Sequence, residues 1–113
     1  MSAQPVVPVR HDSPEPEVST DRLLELLGDE YTRRVFEAIT DQSRSARSIA
    51  EITDVSRPTV YRRLNDLRDA GLVRTEMEIR DDGHHREQYR AVDGSLSVSI
   101  DDGGLDATVH VAD

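Results

Sequence analysis

At 113 residues the chain supports one domain with room for a tail, and its 35% apolar content suffices for one small core. No apolar run approaches the roughly 18–20 residues of a membrane span, and the N-terminus lacks a basic start followed by a long apolar stretch, so neither a span nor a secretory signal is expected. The absence of cysteine excludes disulfides, thiolate metal sites and cysteine nucleophiles, and the expected location is cytoplasmic.

All 14 basic residues are Arg, and the 23 acidic residues give a formal net charge of -9. Short carboxylates in excess, with no Lys, suit a cytoplasm full of salt, where screening over a few ångström removes most self-repulsion and carboxylates keep the surface hydrated. A GC-rich genome would explain the preference for Arg but not the excess of Asp. The charge is uneven. Residues 1–43 hold 4 Arg against 9 acids, residues 44–90 hold 10 Arg against 9 acids, and residues 91–113 hold 5 acids and no Arg. Inside the middle segment, Val55–Asn65 carries Arg57, Arg62 and Arg63 and no acid.

Residues 1–19 contain Pro5, Pro8, Pro14 and Pro16 with Asp12, Glu15 and Glu17, and read as a disordered acidic, Pro-rich tail. A first short helix is predicted over about Asp21–Leu27, ending near Gly28. Asp29 then caps a second helix over about Glu30–Ile39, in which Tyr31, Val35, Phe36 and Ile39 form one apolar stripe. The following "DQSRS" reads as a loop. Ser45 caps a third helix, about Ala46–Ile52, with Ile49 and the small Ala50 facing inward. "TDV" is a tight turn with Val55 as a buried plug. Ser56 caps a fourth helix, with Pro58 in its first turn, where a missing N–H costs nothing. Val60, Leu64 and Leu67 mark its core face. Gly71 reads as a left-handed stop, with Leu72 folding back on the last turn.

The period then changes to 2. "LVRTEMEIR" alternates Val73, Thr75, Met77 and Ile79, Asp82–Gly83 marks a hairpin turn, and "REQYRAV" returns with Tyr89 and Ala91 on one face. A second hairpin pairs "SLSVSI" with "LDATVHV" across "DDGG". The expected fold is α+β: a winged helix-turn-helix over 20–92, with a three-helix core, a short N-terminal helix and a β-hairpin wing. An extra C-terminal β-hairpin is expected over 93–113.

This order of elements meets the demands of two helices crossing steeply at a short turn. On the fourth helix the core face and the Arg-bearing face are separate. A helix presented this way fits the major groove of B-DNA. Its N-terminus and Ser56 suit a phosphate, Arg57, Arg62 and Arg63 suit phosphates or a guanine edge, and Thr59 and Tyr61 suit bases. Pro58 shares the outer side. Arg80, His84, His85 and Arg86 surround the wing tip, where an adjacent minor groove or phosphate would lie.

The stretch from "SARSIAEITDVSRPTVYRRLNDLRDAGLV" through "RTEMEIRDDGHHREQYRAV" resembles the ArsR-like winged helix-turn-helix regulators of archaea, especially the small haloarchaeal ones. The resemblance covers about Asp29–Val92, and "SRPTVYRRLNDLRDAGLV" carries most of it. It implies transcriptional regulation by binding duplex DNA, usually as a homodimer. By that resemblance Ser56, Arg57, Thr59, Tyr61, Arg62 and Arg63 occupy recognition-helix positions. The metal-sensing members use cysteines, which this chain lacks, and many members end in a dimerising helix where this chain ends in a hairpin.

Each sharp reading has a plainer one beside it. The basic helix face could serve protein contact, making the chain a winged-helix adaptor in transcription or chromosome machinery; a basic recognition helix and wing together favour DNA. His84 and His85 suggest a metal, but neighbours on a hairpin point to opposite faces, so wing contact is expected instead. Leu23, Leu24, Leu26 and Leu27 suit a core or a dimer seam equally. "DDGG" lacks the spaced ligands of a calcium loop. No catalytic motif is present, so neither enzymatic activity nor a cofactor is expected, and no membrane partner. The operator, the sign of regulation and any small-molecule effector are not encoded in a readable form.

Overall fold

The computed structural model describes residues 18–83 and 85–112. The acidic, Pro-rich tail lies, through residue 17, outside the described residues; Val18 and Ser19, read as its end, belong to the fold, Val18 packing against the core and Ser19 capping the first helix. Four helices come first: α1 (Thr20–Leu27), α2 (Glu30–Glu37), α3 (Ala46–Thr53) and α4 (Arg57–Asp69). Two hairpins follow, β1 (Val73–Ile79) with β2 (His85–Ala91), and β3 (Gly94–Asp101) with β4 (Gly104–Val111), each antiparallel. This is a winged helix-turn-helix fold with an extra C-terminal hairpin. None of the described helices is long and apolar enough to cross a membrane.

Every helix among the described residues begins at a side-chain cap. Ser19, Asp29, Ser45 and Ser56 each accept a hydrogen bond from the backbone N–H three residues on, satisfying one otherwise orphaned donor. The turn between α3 and α4 closes through Asp54, which takes the left-handed conformation (φ 62°) that Asp tolerates better than most residues. Val55 then drops into the core.

The core is built from Leu23 and Leu26 of α1, Val35 and Ile39 of the α2 segment, and Ile49 of α3. Val60, Leu64 and Leu67 of α4 join them, capped by Leu72, Val73, Tyr89 and Ala91. Of the α1 leucines, Leu23 and Leu26 are buried, Leu27 is half-buried and Leu24 is exposed. The stripe on α2 departs from the sequence expectation. Tyr31 is 49% exposed, while Thr32 is fully buried. The physical reason is the cap: the Asp29 carboxylate accepts from both the Thr32 N–H (2.9 Å) and its hydroxyl (2.8 Å), so Thr32 enters the core with its polar atom satisfied. Tyr31 instead lies under the Arg34 guanidinium, 5.5 Å from its ring centre.

The loop after α2 is not merely a loop. Arg44 forms an antiparallel bridge with Tyr89, with backbone bonds of 3.0 and 2.8 Å in the two directions, and so adds a short third partner beside β2. The Arg44 guanidinium also donates to the Ala38 carbonyl at 2.7 Å, tying off the end of α2.

The end of α4 sets where the wing starts. Gly71 N–H bonds to Arg68 O and Leu72 N–H to Leu67 O, both at 2.9 Å, with Gly71 at φ 80°. This is a Schellman stop, and Leu72 folds back into the core as its apolar contact. A Cβ at Gly71 would meet nothing within 4 Å, so a substitution there costs backbone strain alone. Gly71→Val is expected to destabilise the protein by about 1–2 kcal/mol, read as a fall in melting temperature of about 5–15 °C. An unchanged melting curve would contradict the left-handed stop.

Candidate nucleic-acid interface

The orientation of α4 follows from three residues. Val60, Leu64 and Leu67 are all fully buried, and at ~100° per residue they occupy one side of the helix. The rest of α4 divides into an outer face and two flanks of unlike character.

The outer face carries Arg62 with Pro58 and, in the last turn, Asp69, all exposed. The flank towards the wing carries Arg57, Tyr61, Asn65 and Arg68, all exposed and with no acid among them. Arg68 donates to the Asn65 side chain at 3.0 Å, and Tyr61 and Arg68 lie close enough to influence the Tyr89 phenol electrostatically. The opposite flank, towards α1 and α2, is occupied by ion pairs. Arg63 faces Asp29 at 3.6 Å, and Asp66 faces Arg22 at 3.4 Å.

Arg57 and Arg62 form no ion pair among the described residues. Arg63, by contrast, points back towards the N-terminus of α2. Its side chain is only 27% exposed, and its Nε is buried without a hydrogen bond, at ion-pair distance from Asp29. Asp29 thus serves two helices: it caps α2 and holds Arg63 of α4. Its carboxyl is held below the usual range, first by the Thr32 N–H, then by the Thr32 hydroxyl, with Arg63 and Arg33 adding to it.

At the head of α4, Ser56 and Thr59 engage each other. Ser56 Oγ accepts from Thr59 N–H at 3.4 Å and its hydroxyl donates to Thr59 Oγ1 at 3.0 Å. Pro58 has no N–H and the Thr59 N–H is taken up by Ser56, so the amide left to the first turn is that of Arg57.

On the wing, Val73, Thr75, Met77 and Ile79 share a face with Ala91, Tyr89, Glu87 and His85. Only the base of that face is buried, at Val73, Tyr89 and Ala91. Tyr89 donates to Glu87 at 3.0 Å, and burial, with that bond, pushes its phenol up to about 12. The other face carries Arg74 opposite Arg90 and Glu78 opposite Arg86. Arg80 lies 3.8 Å from Glu78, and His85 and Arg86 are exposed at the start of β2. His84 lies outside the described residues. The turn is Arg80–Gly83, closed by a Gly83 N–H to Arg80 O bond of 3.1 Å with Gly83 at φ 86°.

The structure therefore gathers Arg57, Tyr61 and Arg62 on accessible sides of one helix and sets Arg63 apart. It adds Asn65 and Arg68, which the sequence reading passed over. Their signal is in the sequence: 57, 61, 65 and 68 follow the helical period, beside the stronger apolar repeat at 60, 64 and 67.

Residues 27–76 match the family model of a helix-turn-helix domain. The match runs from the last residue of α1 through α4 into β1, and so contains the capped α3–turn–α4 unit. Over those 50 of its 113 residues the chain is similar to a helix-turn-helix domain. No curated protein shows a significant match to the sequence.

The two neighbouring arginines should separate in stability measurements. Arg62→Ala is expected to leave the melting temperature close to wild type, as exposed surface changes do. Arg63→Ala is expected to lower it, since Asp29 then loses its partner. Asp29 has a lowered folded pKa, so its contribution is complete above the unfolded value near pH 4 and is lost as pH falls through the folded value. The stability gap between wild type and Asp29→Asn should accordingly narrow on acidification below pH ~4. A gap independent of pH would contradict the charged role of Asp29.

Proposed function

We propose that the protein is a sequence-specific transcriptional regulator that places α4 in the major groove of duplex DNA and its wing on the adjacent backbone or minor groove. The observation that carries this reading is the free arginine face of α4. Arg57 and Arg62 are exposed and unpaired by any carboxylate among the described residues, on a helix whose opposite side is locked into the core.

The parts have distinct roles. The Arg57 amide, at the positive end of the α4 dipole, meets a phosphate and fixes register. Arg62 reaches a guanine edge, where a bidentate guanidinium discriminates between bases. Tyr61 contacts a base or thymine methyl, and Arg68 holds the backbone on the wing side. Arg80, His85 and Arg86 follow the neighbouring phosphates. No catalytic step belongs to this reading. The ArsR-like resemblance and the Asp-rich, Lys-free composition support a regulator working in the salt-rich cytoplasm of a halophilic archaeon. A single recognition helix reads only a half-site, so a homodimer on paired half-sites completes the proposal.

Arg62→Ala is expected to weaken binding to the specific site by about 1–3 kcal/mol while leaving random sequence almost unchanged, as read by fluorescence anisotropy on both duplexes. Equal losses on both would reassign Arg62 to phosphate, and no loss on either would remove it from the interface and favour a protein-contact role for this face.

Salt dependence tests the setting of the strip. Asp54 sits in the turn before α4, and Asp81 and Asp82 sit at the wing tip, all exposed. Docking brings such carboxylates near phosphates, where cations must be taken up between like charges, offsetting those released beneath the arginines. The plot of log affinity against log potassium chloride is expected to be shallow or rising. A steep fall, like that of a protein neutralising about six or more phosphates, would contradict a part for the carboxylates.

A further inference from the structure

The C-terminal hairpin is one-sided. Gly94, Leu96, Val98 and Ile100 of β3 stand opposite Val111, Val109, Ala107 and Leu105 of β4, and directly opposed residues share a face. That face contains no ionisable group. The other face pairs Ser95, Ser97 and Ser99 with His110, Thr108 and Asp106.

Only part of the apolar face is covered by the protein itself. α1 covers Ala107, whose N–H donates to the Thr20 hydroxyl at 3.0 Å. Leu96 and Val109 border a cleft of about 290 Å³ shared with Leu27, Phe36, Leu72 and Val92. Towards the tip nothing among the described residues covers it. Ile100 is 81% exposed, Leu105 52% and Val98 48%. A two-stranded hairpin is at best marginally stable alone in water and needs its apolar face packed, and scattered single apolar residues would need no such explanation.

We infer that this face is an isologous interface, covered by the same face of a second copy of the chain. The inference rests on the homodimeric reading above and names its surface. Two observations select a second copy. The first is area: Leu96, Val98, Ile100, Leu105 and Val111 are each 42% to 81% exposed on one face, enough for a pair of copies to bury on the order of 1,000 Å², the lower bound for a specific interface. The second is charge. Two copies at -9 each repel, and this charge-free face lets them meet without bringing carboxylates into contact. The polar face keeps Asp106 in water, and Asp101 and Asp102 remain exposed at the turn. A two-fold dimer uses one self-complementary patch on both subunits, which a flat apolar sheet face provides.

The test is sedimentation equilibrium of the full chain at micromolar concentration in molar potassium chloride, without DNA. Wild type is expected to be a dimer. Ile100→Glu, at a position too exposed for the fold of one copy to depend on it, is expected to weaken the dimer by about 100-fold or more by placing a charge inside the interface. Val98→Glu should do the same, whereas Ser97→Glu, the same charge on the polar face, should change it by less than about threefold. Circular dichroism of each variant should match wild type. A purified chain that stays monomeric assigns the patch to a different partner and overturns the inference, as does a dimer indifferent to Ile100→Glu. The read-out contains no DNA, so the two claims fail separately. A dimer that binds no duplex rejects the proposed function and leaves this interface standing, a dimer indifferent to Ile100→Glu rejects this interface alone, and a monomer that binds a single half-site rejects the interface and the homodimeric part of the proposal while leaving DNA contact by α4 standing.

Discussion

The burial of Val60, Leu64 and Leu67 fixes how α4 is rolled about its own axis, and the candidate interface depends on that roll. A rotation of α4 by one residue's worth would carry Arg62 towards the core or bring a core leucine into water. Leu64 and Leu67 each lose roughly 1.5–3 kcal/mol when exposed, so the roll is strongly held. Arg63 adds a second restraint from the side. Its guanidinium lies against Asp29, a carboxylate already engaged in capping α2, so the first turn of α2 and the middle of α4 are referenced to one another. The Schellman stop at Gly71 and Leu72 then fixes where the wing leaves the helix.

Most of the fold was legible in the sequence because local signals agreed. Polar caps at Asp29, Ser45 and Ser56 precede three of the amphipathic stretches, Gly71 stands at the left-handed stop of α4, and the period changes from helical to alternating just after it. Asp102 and Gly103 sit at the tight turn of the second hairpin as the pattern required. What escaped the reading depended on contacts across the chain. The burial of Thr32 in place of Tyr31 could not be seen from hydrophobicity, because Thr32 enters the core only by virtue of its bonds to Asp29. The bridge of Arg44 to Tyr89 joins residues 45 apart, and no local pattern reports it. The site was legible as a helix with arginines, but not in its division into flanks. A helical wheel places Arg63 and Tyr61 symmetrically about Arg62; only the positions of Asp29, Asp66 and Tyr89 distinguish the paired flank from the open one.

The acidic character of the chain and its basic helix are compatible because they are segregated. The window Val55–Asn65 contains no acid, and the acids nearest in space on the α1–α2 side are occupied by Arg63 and Arg22. The carboxylates beyond it, at Asp54 and the wing tip, form a border rather than a cover. The C-terminal hairpin shows the same segregation in another form: the polar side bears the charge and the apolar side bears none. Among the described residues, the flank of α4 towards the wing and the apolar face of the second hairpin are both without carboxylates.

The central claim, that the face of α4 opposite its core contacts duplex DNA, is tested most directly by amide hydrogen exchange with and without a bound duplex. The account predicts slowed exchange over the first turns of α4 and around the wing turn at Arg80–Gly83, with β3 and β4 unchanged by DNA. Slowing confined to the C-terminal hairpin, with α4 unaffected, would contradict it.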